Sequence, residues 1–91
     1  MSMTKRRGWV VVPEHGAVHV HLDHPIEVID SYDVVERAEH FLPDADVLIL
    51  DGRGWSTPRT WKTARLLRER ASSYGVETII DSPTLLIDEH T

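Results

Sequence analysis

The chain of 91 residues has no cysteine. That excludes a disulfide framework, a thiolate nucleophile and a cysteine-ligated zinc knuckle, and makes a reducing, cytoplasmic setting the expectation. No apolar run approaches the roughly 18 residues of a membrane span. Behind Lys5, Arg6 and Arg7 the hydrophobic stretch before Pro13 runs only from Trp9 to Val12, too short for a secretory signal. Repeats, low-complexity tracts and Pro/Gly/Ser-rich linkers are absent, so residues 1–91 are expected to form one domain, with 1–7 as an N-terminal tail. A mass of 10.4 kDa leaves no room for a TIM barrel or a complete dinucleotide-binding fold. No motif asks for a cofactor, and the GxxxxGK[ST] phosphate loop is missing.

What is present has the balance of a globular protein, with 41% hydrophobic and 27% charged residues. The net charge of −5 hides a strong segregation. Residues 14–51 carry ten acids against Arg37 alone. Residues 53–70 carry Arg53, Arg59, Lys62, Arg65, Arg68 and Arg70 against Glu69 alone, a net +5. An acidic total argues against general nucleic-acid binding, which runs on phosphate neutralisation. A concentrated basic stretch still suits an acidic protein surface or a phosphate-bearing ligand.

Periodicity supplies the architecture. Trp9 to Val12 is largely β-branched and stops at Pro13, so it reads as a strand. After a turn at Glu14-His15-Gly16, Ala17 to Leu22 alternates, with Val18, Val20 and Leu22 on one face and His19 and His21 on the other. The two make a β-hairpin, and Ile26 to Ile29 suggests a short third strand. Ser31 is the expected N-cap of a helix whose inward residues are Val34, Val35, Ala38, Phe41 and Leu42, ended by Pro43. Val47-Leu48-Ile49-Leu50 reads as a central strand covered on both faces. Thr57-Pro58 opens a second helix with Ala64, Leu67, Ala71 and Tyr74 inward, and Gly75 stops it. Val76 to Ile80 is a further strand, and Ser82-Pro83 opens a short C-terminal helix carrying Leu85, Leu86 and Ile87. The expected fold class is α/β: an N-terminal hairpin followed by βαβαβ, a small mixed sheet of about four to five strands, and two main helices.

The segment from Gly52 to Thr60 carries the densest chemistry. It leaves the carboxyl end of the apparent central strand, where ligands of open α/β sheets bind, and enters the most basic helix. Gly52 and Gly54 allow close backbone approach. Ser56, Thr57 and Thr60 offer hydroxyls, and Arg53 and Arg59 can fork onto phosphate or carboxylate. The candidate binding residues are therefore Arg53, Gly54, Trp55, Ser56, Thr57, Arg59 and Lys62, with Trp55 as an apolar wall or contact anchor. The competing reading is an ordinary loop whose Thr57 only caps the helix. His19 and His21 have a metal-ligand spacing, with Asp23, His24 and Glu27 behind them, but a strand supplies two ligands and a site needs a third. Asp30, Asp51 and Asp81 end, or nearly end, expected strands and could gather around Mg²⁺.

The alternating Ala17-Val18-His19-Val20-His21-Leu22 followed by an acidic turn and helix, Val47 to Asp51 followed by the helix from Thr57 to Gly75, and Val76 to Ile80 followed by Asp81-Ser82-Pro83 together resemble the STAS domain of anti-sigma factor antagonists. The pattern spans Gly16 to Ile87, without that family's Asp-Ser-Ser-Gly-like motif. The resemblance implies an α/β, non-enzymatic regulatory module, and a Ser or Thr at the second helix start that is phosphorylated to switch partner binding; the nearest positions are Ser56, Thr57 and Thr60. The leading expectation is an interaction module working through the Arg53–Arg59 loop and the basic helix. Two alternatives stand beside it: a minimal Mg²⁺-dependent phosphoesterase or nuclease using the three aspartates, and an assembly protein that self-associates through a sheet edge at the first hairpin.

Overall fold

The computed structural model describes residues 8–26 and 28–81; the expected N-terminal tail and C-terminal helix lie outside them. The order is β1 (Trp9–Glu14), β2 (Ala17–Leu22), α1 (Val28–Phe41), a 3-10 turn (Leu42–Asp44), β3 (Val47–Asp51), α2 (Pro58–Ser73) and β4 (Glu77–Asp81). The strands form one mixed sheet in the order β1-β2-β3-β4, with β1 antiparallel to β2 and the other pairs parallel. The chain is α/β, as the hydrophobic periods require.

The hairpin turn is His15-Gly16, both with positive φ, 51° and 84°. That is the primed two-residue turn whose twist matches the flanking strands. The two βαβ units advance across the sheet in the same direction. Crossovers of one hand taken in one direction place their helices on one face, and α1 and α2 do pack side by side: the Ser31 and Thr63 hydroxyls are 2.7 Å apart, and Arg70 meets Glu39 at 2.6 Å.

The core therefore lies between one sheet face and the helix pair. Val18, Val20 and Leu22 from β2 and Leu48 and Leu50 from β3 meet Val34, Val35 and Ala38 from α1 and Ala64, Leu67 and Ala71 from α2. Each buried leucine or valine contributes about 1.5–3 kcal/mol of transfer free energy. The opposite face has no helix on it among the described residues. Val47 and Ile49, expected beneath a second layer, are only half-buried there, because both crossovers were spent on the other side.

Three local expectations are corrected. Val28 and Ile29 belong to α1 and not to a third strand; helix propagation overrides their β-branched preference. Ser31 consequently lies inside α1 and bonds across to Thr63 instead of capping. Tyr74 follows the last helical residue, and its ring leaves the inward stripe so that its hydroxyl donates to Glu39 Oε2 at 3.1 Å. That bond to a carboxylate holds the phenol pKa above its ordinary value.

Candidate functional site

The loop from Gly52 to Thr57 is shaped from within. Gly52 has φ +103°, and a Cβ there would lie 2.1 Å from the Leu22 carbonyl oxygen; at Gly54 it would lie 2.5 Å from the His24 carbonyl oxygen. Both glycines are therefore required so that the loop can press against the exit of β2. The Gly54 amide donates to the Leu22 carbonyl at 2.9 Å, so that amide serves the fold and no ligand. Trp55 is fully buried in the hydrophobic core, and its Nε1 donates to the Asp51 carbonyl at 2.8 Å. The expected contact anchor is thus a core residue, which pins the loop to the end of β3 and is out of reach of a partner.

Thr57 and Thr60 form a capping box. The Thr60 amide donates to Thr57 Oγ1 at 3.4 Å, and the Thr57 amide donates to Thr60 Oγ1 at 3.2 Å. Two of the amides that could have cradled an anion are spent on each other's side chains. Thr60 is wholly buried, Thr57 half-buried, and Ser56 exposed. Of the three residues whose hydroxyls stand at the helix start, Ser56 is the most exposed.

The basic residues end up elsewhere than in one cradle. Arg53 is exposed on the loop, whereas Arg59 and Lys62 line a shallow groove of about 560 Å³ between α1 and α2. Tyr32 of α1 faces them, and Pro58 and Leu66 of α2 supply the remaining apolar wall. Tyr32 is 71% exposed and Leu66 38% exposed. Trp61 is also exposed on α2. Sequence reasoning found Arg59 and Lys62 but missed Tyr32, whose position opposite them depends on how the helices pack. Among the described residues only Arg70 of the six cations in 53–70 is paired with a carboxylate. Arg59, Lys62, Arg65 and Arg68 remain available along α2.

The open sheet face holds a second cluster. Parallel register sets His21 beside Asp51; His21 Nδ1 lies 2.7 Å from Asp51 Oδ1 and Nε2 lies 2.9 Å from Asp23 Oδ1. His19 Nδ1 is 3.7 Å from the other Asp51 oxygen. Two carboxylates facing both ring nitrogens favour the imidazolium, so the His21 pKa is raised, by the Asp51 bond first and the Asp23 bond second. The metal readings are not assembled: Asp30 sits in the first turn of α1, and among the described residues no three His, Asp or Glu side chains are placed to share an ion. Nor is any described helix long and apolar enough to cross a membrane. Comparison of the chain with protein-family models, curated proteins and solved structures finds no match.

Proposed function

We propose that the protein is a non-enzymatic interaction module whose working surface is the outer side of α2 and the groove it forms with α1, and that this surface takes an acidic protein partner. The observation that carries the reading is the groove itself: Tyr32, Pro58 and Leu66 exposed beside Arg59 and Lys62, with neither cation paired to a carboxylate among the described residues. Arginine and aromatic side chains at the centre of a patch dominate contact energies, and steering by unpaired charge raises the rate of encounter. A phosphate-bearing ligand is the less favoured partner, since the loop amides it would use at Gly54, Thr57 and Thr60 are already bonded. The STAS resemblance adds one element to the proposal. If a hydroxyl at the start of α2 is phosphorylated, it is Ser56, the exposed one, and the new dianion would weaken binding of an acidic partner.

The test is titration of the labelled protein with a peptide alternating glutamate and leucine, against a lysine–leucine peptide. Selective binding of the acidic peptide, lost in Arg59→Glu/Lys62→Glu, supports the reading. Equal binding of both peptides, or an unchanged affinity in the variant, overturns it.

A further inference from the structure

The side of the sheet that no described helix covers has a composition as one-sided as that of α2. Strand alternation and register place Val10, Val12 and Glu14 of β1, His19 and His21 of β2, Val47, Ile49 and Asp51 of β3, and Glu77, Ile79 and Asp81 of β4 on it. Asp23 joins them through His21. These strand positions include no lysine or arginine. The face is acidic and apolar, where α2 is basic and apolar. On β3 and β4, Ile49 and Ile79 are flanked by Asp51 and Asp81 at one end and Glu77 at the other.

We propose that the acidic partner of α2 is the open sheet face of a second copy of this chain, so that copies join head to tail. This rests on the preceding reading of α2 and names its partner. A helix about 10 Å across spans about two strand spacings, so one α2 fits over β3 and β4. Leu66 then meets Ile49 and Ile79, with Lys62 one helical turn before it and Arg65 at its flank, both extending toward the carboxylates that border the patch. The contact supplies a helical layer on the sheet face that no described helix covers, as an α/β sheet ordinarily has. Pairing through the sheet edges is disfavoured by the same residues. Pro13 removes an amide from β1, and an antiparallel β4–β4 pair centred on Ile79 sets Glu77 opposite Asp81, like charge against like. The two contacting surfaces are different, so the interface is heterologous and leads to open chains or rings instead of a closed twofold dimer. Four strands of about five residues offer roughly 300 Å² in plan, well below the roughly 800 Å² per partner of a stable complex. The association is accordingly weak and reversible.

Sedimentation velocity on the full chain, from about 10 μM to about 1 mM, tests this. The expected result is concentration-dependent association at low ionic strength, weakened at least about tenfold near 1 M salt, where screening shortens to about 3 Å. Lys62→Glu/Arg65→Glu and Glu77→Lys/Asp81→Lys, each confirmed folded by circular dichroism, should be monomeric alone and should reassociate when mixed. A wild-type chain that stays monomeric throughout, or association indifferent to salt, overturns the inference even where a variant fails to fold. If such a monomer still binds the glutamate–leucine peptide through Arg59 and Lys62, only the identity of the partner has failed. If it does not, the reading of α2 has failed with it.

Discussion

Replacing Trp55 separates a core role from a contact role. Its side chain is fully buried and its indole N–H is bonded to the Asp51 carbonyl. Trp55→Ala removes a large ring from a packed interior, a change that costs about 3–5 kcal/mol. A domain of this length has a total stability of about 5–14 kcal/mol, so the alanine variant loses a large share of it. Trp55→Phe keeps most of the ring and deletes the donor. Leaving a buried carbonyl without its partner costs about 1–3 kcal/mol, and in a domain of this size each kcal/mol lowers Tm by about 4–8 °C. Urea unfolding followed by far-UV circular dichroism reads both values. Losses below about 0.5 kcal/mol, the range for substitutions at exposed positions, would refute the core assignment and return Trp55 to the binding surface.

Thr57→Ala opens the capping box and should cost about 1 kcal/mol in the same urea titration, while leaving acidic-peptide binding unchanged. Gly54→Ala forces a Cβ against the His24 main chain and the Leu22 side chain and should cost about 1–3 kcal/mol as an overpacking change, measured by thermal melting. Asp51→Asn should bring the His21 pKa back toward 6.5, read by NMR titration of the ring proton. Because the folded-state pKa of His21 is raised, its contribution to stability is full below the unfolded value and fades as pH rises through the folded one. The wild type should thus lose stability relative to Asp51→Asn on going from pH 6 to pH 8. The His21 side chain is 44% exposed, which limits the difference to about 1 kcal/mol or less.

Much of the architecture was legible because each segment obeys a single period. Val18, Val20 and Leu22 alternate into the core, Thr57-Pro58 opens α2, and Gly75, with φ 75°, ends it. Failures came where a residue type has two uses. Val28 and Ile29 carry a β-branched preference that α1 overrides. Gly52 and Gly54 look like an anion cradle in sequence, but their neighbours are Leu22 and His24, which arrive only with the fold. Trp55 looks like an exposed anchor because its bond to the Asp51 carbonyl leaves no trace in spacing. The pairing of His21 with Asp51 needed the register of β2 on β3; a slip of one residue would have put them on opposite faces. Likewise the groove required knowing that both helices share one side of the sheet, so that Tyr32 stands across from Arg59 and Lys62.

The central claim is that the unpaired cations of α2 do the recognising, and one measurement addresses it most directly. The affinity of the glutamate–leucine peptide should be compared between the wild type and Arg59→Glu/Lys62→Glu across a salt series. The account requires wild-type affinity to fall steadily with ionic strength, and the double variant to bind at least about tenfold more weakly at low salt. Equal affinities with a flat salt dependence would contradict it.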